Sequence, residues 1–142
     1  MSKKARNVEL FLFDIFIAIL KIEHIKNEYD NADELLYDFR SWDSIIREFT
    51  IIGEASKYLI SKDMLQDEYQ IVVDFRNVIV HEYFGIDAEE VWDTVCHDLD
   101  AFKELIVKMI NKIEPNLKHQ LITSFAKDND KYDFIVKALN AL

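Results

Sequence analysis

This 142-residue sequence contains few of the residues that interrupt secondary structure, with two glycines and one proline. Glycine and proline are poor helix formers and mark turns, so their scarcity predicts long helices joined by few turns. Half of the residues are hydrophobic, which at this length is enough for one domain with a core of its own. The composition therefore predicts an all-α protein with a single helical domain over residues 1–142.

Cysteine and basic residues are scarce as well. The lone Cys96 excludes an internal disulfide and gives no metal-type cysteine spacing, which suits a reducing, cytoplasmic compartment. The 17 basic and 27 acidic residues give a formal charge of −10. A general nucleic-acid coat protein would normally carry a basic face. Any RNA chemistry must therefore occur in a local cationic cleft, or on a substrate delivered to it.

An apolar run near the N-terminus, residues 10–20, is too short to cross a membrane. Its eleven residues fall well below the ~20 that a membrane span needs. Asp14 interrupts the run, Lys21 follows it directly, and no small-residue cleavage site of a signal peptide comes after it. We expect a buried helix of a soluble protein, with no membrane partner.

Hydrophobic periodicity predicts four long helices and a helical tail. The first predicted helix covers about residues 4–27, and the second about 32–59 with a bend near Arg40-Ser41. Asp63 could cap the third helix, and Gly85 ends it. The fourth covers about residues 88–113, with Asp87 as its N-cap. Pro115 then interrupts the chain, and residues 116–142 predict one or two shorter helices broken near residues 128–130. The core is thus expected over about residues 4–113, with a C-terminal extension.

The first predicted helix is apolar on nearly every side. A helix of this kind must be enclosed on more than one side. The pattern favours a homodimer seam, and the alternative is a deep core position within a monomer. Asp14, inside this helix, would then be buried or nearly so and should have a cationic or hydrogen-bonding partner.

The residues with the greatest chemical potential lie in the third predicted helix, at Arg76, Asn77, His81 and Tyr83. Arginine in apolar helical sequence is costly unless it is paired or used, and histidine moves protons readily near neutral pH. At roughly 100° per residue, Asn77 and His81 share a face, whereas Arg76 and His81 are separated by about 140°. Hence the Arg76 side chain wraps around, the helix unwinds before Gly85, or a symmetric dimer brings two motifs together.

If these groups meet, they suit metal-independent RNA cleavage, in which a ribose 2′-hydroxyl attacks the adjacent phosphate. His81 would accept that proton or protonate the leaving oxygen, while Arg76 would hold the phosphate and stabilise its growing charge. Asn77 would orient His81 or bind a phosphate oxygen. We expect no metal and no cofactor. On spacing alone, the simpler interpretation is structural, with Arg76 and His81 paired to acids such as Asp14.

Three segments resemble HepT-like proteins of the HEPN superfamily, the ribonuclease toxins of toxin–antitoxin pairs. The segments are Leu12-Phe13-Asp14-Ile15 with Ile22, Arg47 to Ala55 with its Ile52-Gly53-Glu54-Ala55 sequence, and Arg76 to Gly85 followed by Val91-Trp92. The third segment is the most specific, and the resemblance covers about residues 8–110.

The resemblance implies an antiparallel HEPN bundle that forms a homodimer and cleaves RNA at the seam. Arg76 and His81 match the catalytic residues of the family, with Asn77 and Asp14 as supporting residues. Tyr83 matches the tyrosine that minimal nucleotidyltransferase antitoxins modify with AMP, silencing the toxin. The alternatives are a non-catalytic subunit that binds nucleotide or serves as a scaffold in a nucleotidyltransferase complex, and a purely structural dimer.

Overall fold

A computed structural model describes residues 8–66 and 87–142, and every regular element in these two ranges is a helix. The elements are α1 (Val8–Lys26), α2 (Ala32–Tyr37), α3 (Phe39–Ser61), α4 (Ala88–Asp93), a π-helical turn (Thr94–Asp98), α5 (Leu99–Ile110), α6 (Pro115–Asp128) and α7 (Asp133–Asn140). The predicted all-α class is confirmed for this part of the chain. The third predicted helix lies outside the described residues, apart from its first positions.

The second predicted helix is divided at Asp38, two residues before the expected bend. Asp38 has an extended backbone, with φ −96° and ψ 90°, so that α2 ends before it and α3 begins after it. The start of α2 is fixed by two local hydrogen bonds: the Asn31 side chain accepts from the Glu34 N–H at 2.9 Å, and the Glu34 carboxylate accepts from the Asp30 N–H at 3.0 Å. This is close to a capping box, a strong signal for a helix start.

Helix α3 ends in a Schellman motif, with Asp63 in the left-handed region at φ 57°. The Met64 N–H donates to the Leu59 carbonyl at 2.9 Å, and the Asp63 N–H donates to the Ile60 carbonyl at 3.0 Å. These two bonds satisfy carbonyls that a helix end leaves open. Asp63 thus ends α3. The next helix, which Asp63 was predicted to cap, lies outside the described part of the chain.

The fourth predicted helix is confirmed from Ala88 to Ile110. Asp87 is its N-cap, as predicted, and its Oδ1 accepts from the Glu89 N–H at 2.9 Å. The π-helical turn in its middle was not indicated by the periodicity; there the Leu99 N–H reaches back to the Thr94 carbonyl, five residues earlier. Pro115 is the first residue of α6, where its missing N–H costs nothing.

Helix α1 is the centre of the core. It packs against α3, α5 and α7, and its buried residues are Leu12, Phe13, Ile15, Phe16, Ile17, Ala18, Ile19, Leu20 and Ile22. A deep core position within one chain therefore accounts for its apolar surface, rather than the homodimer seam that the pattern favoured. A homodimer formed through another surface stays a prediction.

Helices α1 and α3 run antiparallel. The Phe11 ring stacks on Tyr58 with centroids 4.2 Å apart, while the charge of Lys21 acts on Glu48, ten residues further along α1 and ten residues back along α3. Gly53, between these two contacts, is buried. A glycine at this position allows the two backbones to approach closely.

The C-terminal helices α6 and α7 pack onto this core. Phe125 of α6 stacks on Phe13, and Phe134 of α7 stacks on His24 with centroids 3.9 Å apart. Two further residues of α7, Ile135 and Leu139, are fully buried. The predicted helical extension and its break after Asp128 are confirmed. No helix among the described residues has the length and apolar character needed to cross a membrane.

Candidate functional site

The predicted catalytic motif lies outside the described residues. This holds for Arg76, Asn77, His81 and Tyr83, all within residues 67–86, so that their roles remain predictions. The described part of the chain defines the two points that this segment connects. It follows Gln66, just beyond the end of α3, and it precedes Asp87, the N-cap of α4.

Asp14 is the predicted site residue that the structure does describe. It lies in the middle of α1, half-buried, between the fully buried Phe13 and Ile15. The antiparallel register of α1 and α3 places Asp14 level with Ala55, at the centre of their interface.

Glu48 of α3 is a buried acid at the same interface, with only 8% of its surface exposed. Burial raises the pKa of its carboxyl, and the positive charges of Lys21 and Arg47 lower it in part. The sequence reasoning missed Glu48, although a signal was present, because it follows Ile45 by three residues and precedes Ile52 by four. Residues at this spacing share one face of a helix.

Glu54, on the same helix, differs from Glu48. The structure leaves its side chain exposed. It lies two residues beyond Ile52, and two residues turn a helix by about 200°. Its side chain therefore projects away from the face that Ile52 buries.

Ser56 of α3 is an unusual buried polar residue. It is fully buried, and its Oγ has no hydrogen-bond partner among the described residues. A buried hydroxyl without a partner costs roughly 1–3 kcal/mol. It lies one residue beyond Ala55, and therefore close to the level of Asp14 along the interface.

Among these polar residues, Glu48 is the one whose pKa is shifted in a way that could serve proton transfer. A carboxyl with a raised pKa, such as that of Glu48, releases its proton closer to neutral pH than an exposed one. The structural interpretation of Glu48 is simpler: Lys21 and Arg47 balance one buried negative charge. The described residues include no group of three or more His, Cys, Asp or Glu side chains arranged to hold a metal ion.

Two surface cavities of about 350 Å³ each lie near the ends of α1. The described residues that line the first are Glu9, Leu12, Asp63, Met64, Met109, Lys112 and Ile113. Those that line the second are Glu23, Lys26, Asn27, Val95, Cys96 and Asp100. Each set mixes acids with one lysine and contains neither a histidine nor an arginine. These residues by themselves therefore lack the histidine and arginine on which the predicted RNA cleavage depends.

The described histidines lie on the surface. His24, His97 and His119 are all exposed, and His24 lies flat against Phe134. The histidine of the motif therefore remains the candidate for acid–base chemistry, and the exposed histidines serve as matched controls for it.

Comparison with known proteins identifies the class to which this chain belongs. A family model described as "Ribonuclease HepT-like" matches residues 15–109, which is more than half of the chain and includes the segment from Arg76 to Gly85. The chain is therefore a member of the HepT-like ribonuclease family. The resemblance drawn from its three sequence segments is confirmed. The match ends before α6, so the two C-terminal helices lie beyond it.

Individual relatives give the same result. A Methanocaldococcus jannaschii protein named "Putative RNase MJ1380" is 35% identical over 113 residues, covering 73% of this chain and 95% of the relative. A Thermococcus cleftensis protein named "Probable ribonuclease HepT" is 34% identical over 103 residues, covering 70% and 92%. A longer M. jannaschii protein, "Gamma-glutamylcyclotransferase and putative RNase MJ0434", is 28% identical over 116 residues, which cover 78% of this chain and 51% of the relative. This chain thus spans about half of that longer protein. No solved structure gives a significant match.

Proposed function

We propose that this protein is a metal-independent endoribonuclease and the toxin of a toxin–antitoxin pair. The observation that carries the proposal is the family match over residues 15–109, because it includes the complete Arg76 to Gly85 motif. Two relatives whose length is almost fully matched are named as ribonucleases. The described helices are consistent with such a protein, since the predicted supporting residue Asp14 lies half-buried in the central helix.

The motif supplies the groups for cleavage by the RNA's own nucleophile. The 2′-hydroxyl attacks the adjacent phosphorus and loses its proton, the bond to the 5′-oxygen breaks, and that oxygen leaves with a proton. The products are a 2′,3′-cyclic phosphate and a 5′-hydroxyl. His81 transfers a proton in this sequence, and Arg76 binds the phosphate and stabilises the charge that develops on it. Asn77 orients His81, and Asp14 supports the site from α1.

A homodimer completes the proposed site. On a regular helix Arg76 and His81 would be separated by about 140°, so that two copies of the motif facing each other across a twofold axis bring both groups to one phosphate. Since α1 is enclosed within its own chain, the proposed dimer forms through another surface.

The proposed antitoxin is a minimal nucleotidyltransferase that transfers AMP to Tyr83. Tyr83 follows Arg76 by seven residues, and on a helix positions seven apart are nearly aligned. The added phosphate would neutralise the arginine, and the added adenosine would block the cleft. Modification of this one tyrosine would therefore remove both phosphate binding and access.

The test is RNA cleavage by purified protein in the presence of EDTA. We expect wild-type protein to release fragments with 2′,3′-cyclic phosphate ends, and His81→Ala to abolish cleavage while its circular dichroism spectrum is unchanged. His97→Ala, which replaces an exposed histidine of the π-helical turn, should cleave like wild type. Cleavage that survives His81→Ala would exclude this mechanism, and tight nucleotide binding without RNA turnover would favour the non-catalytic subunit.

A further inference from the structure

We propose that the corner between α2 and α3, residues 28–43, is a docking surface for a protein partner with a basic surface and an apolar centre. Three of the five large hydrophobic side chains exposed in the described ranges lie within four positions of this corner. They are Leu36, 40% exposed, Tyr37, 85% exposed, and Phe39, 67% exposed. Single exposed apolar residues are ordinary, whereas a contiguous group on a protein surface marks an interaction site.

The charge around these aromatic residues selects the kind of partner. Residues 27–46 carry six acidic side chains and one basic side chain, so that half of the formal charge of −10 falls on this short stretch. The acids are Glu28, Asp30, Asp33, Glu34, Asp38 and Asp43, and all six are exposed. An apolar centre with a charged rim is the usual anatomy of a protein interface, and the acidic rim is complementary to a basic partner.

The same charge disfavours RNA at this corner. Exposed aromatic rings could stack on unpaired bases, but sites that do so also neutralise the phosphate backbone with basic residues. Here the one basic residue is Arg40, whose guanidinium carbon lies 5.9 Å from the centre of the Phe39 ring. Six carboxylates would repel the backbone, so that the electrostatics favour a protein as the occupant.

Polar contacts link the corner to the residues that follow α1. The Tyr29 hydroxyl lies 2.5 Å from Asp38 Oδ2 and 2.7 Å from Ser41 Oγ, which ties the end of α1 to the junction of α2 and α3. Leu35 of α2 is fully buried in the core. Tyr37 and Phe39 therefore lie beside residues that hydrogen bonds and burial hold in place, and contacts of this kind reduce the entropy that a surface loses when it binds.

The corner lies next to the helix that follows the motif segment. Helix α2 packs against α4, and α4 begins at Ala88, directly after the segment that carries the motif. A partner bound to α2 would therefore lie beside the point where the chain leaves that segment. This docking surface does not depend on nuclease activity, and it can be tested with protein that cleaves nothing.

The test uses the full chain and a synthetic probe, an amphipathic helical peptide with leucine and tryptophan on one face and lysine on the other. We expect Tyr37→Ala/Phe39→Ala to weaken peptide binding at least tenfold, because large aromatic residues dominate interface energies. Tyr132→Ala, which removes a tyrosine 51% exposed at the turn before α7, should bind as wild type does. Amide NMR shifts caused by the peptide should be confined to residues 28–43, and binding should weaken with added salt.

Three outcomes would overturn the proposal. Equal binding by the double variant and wild type would show that the aromatic residues are not the site. A single-stranded RNA oligonucleotide that binds wild type and is lost in the double variant would make the corner a nucleic-acid surface. A change of oligomeric state in the double variant, measured by light scattering, would make it a contact between copies of this chain. Exposed substitutions change folding stability little, and a thermal melt of each variant verifies this.

Discussion

Phe13 of α1 and Phe125 of α6 stack with ring centroids 5.0 Å apart and an angle of 13° between their planes. Phe13 lies within the central helix, whereas Phe125 lies beyond residue 109, where the family match ends. This contact therefore joins the C-terminal extension to the helix around which the fold is built. Because Phe13 is fully buried, the extension covers a part of α1 that water would otherwise reach.

Replacement of Phe125 by alanine should destabilise the whole chain. We expect a loss of about 2 kcal/mol, below the 3–5 kcal/mol typical of a fully buried phenylalanine, because Phe125 is only half-buried. Urea unfolding measures the difference, with the exposed Tyr132→Ala as the control that should change stability by less than about 0.5 kcal/mol. If Phe125→Ala has no larger effect than that control, the extension does not contribute to the core.

Glu48→Gln should increase stability at neutral pH. Burial raises the pKa of Glu48 in the folded state above its ordinary value of 4.5. The folded protein therefore holds this proton more tightly than the unfolded chain, so the favourable contribution is complete below about pH 4.5 and is lost as pH rises through the folded pKa. Glutamine is never charged, and its advantage over wild type should appear at pH 7 and shrink towards pH 4.

Thermal melts at pH 7 and pH 4 measure this effect, with Glu54→Gln as a control on the same helix, since Glu54 is exposed. A glutamine variant less stable than wild type at pH 7 would contradict the prediction. It would show that the attraction of Lys21 and Arg47 for the Glu48 carboxylate outweighs its burial.

Tyr29→Phe should raise the pKa of Asp38. The Tyr29 hydroxyl donates a hydrogen bond to the Asp38 carboxylate and is the largest cause of its lowered pKa. A lowered pKa contributes stability above the ordinary value of 3.8 that is lost as pH falls through the folded pKa. The variant should lose part of this pH dependence, because hydrogen bonds from Arg40 and Ser41 also lower the pKa of Asp38. Carboxyl NMR titration measures the shift. Tyr132→Phe should leave Asp38 unchanged, and an equal titration curve in Tyr29→Phe would refute the hydrogen bond.

Asp63→Val should destabilise the end of α3 by roughly 1–2 kcal/mol, because a β-branched residue is strained at the left-handed φ of 57°. Glycine is the natural residue for this position, so Asp63→Gly should retain wild-type stability or exceed it. Denaturant unfolding of both variants makes the comparison. Equal losses in the two would mean that the aspartate side chain, rather than the backbone conformation, stabilises this turn.

Arg76→Ala should abolish growth arrest when the protein is expressed without its proposed antitoxin. Loss of a group that stabilises transition-state charge typically costs a factor of about 10²–10³ in rate, which is sufficient to relieve toxicity. Arg47→Ala, which replaces an exposed arginine of α3, is the matched control and should remain toxic at equal expression. Arrest by Arg76→Ala as strong as by wild type would separate the toxicity from the motif.

Local features of the fold could be predicted from the sequence, and features that depend on distant residues could not. Asp87 and Pro115 are signals that act within a few positions. The predicted N-cap at Asp87 and the predicted interruption at Pro115 are both confirmed, and Pro115 itself begins the next helix. The break at Asp38 was placed two residues late, because Asp38 is held by Tyr29, nine residues away. The enclosure of α1 was predicted, but the sequence could not show what encloses it, since the covering surface comes from α3, α5 and α7 of the same chain.

The same difference between local and distant features applies to the candidate site. The motif from Arg76 to Gly85 could be recognised because its residues are neighbours in the sequence, and the family that it indicated is confirmed by the match over residues 15–109. The spacing of Glu48 from Ile45 and Ile52 indicates its buried face, but the charge that acts on it from Lys21, 27 positions away on another helix, could not be inferred from the sequence.

The π-helical turn at Thr94–Asp98 determines which face of α5 points towards α1. A π turn accommodates one more residue than the α turn that it replaces, and one residue corresponds to about 100° of rotation. Deleting a single residue there would leave α5 continuous yet swing its inward face away from α1. Leu99, Phe102, Ile106 and Ile110, all now almost completely buried, would turn towards water together.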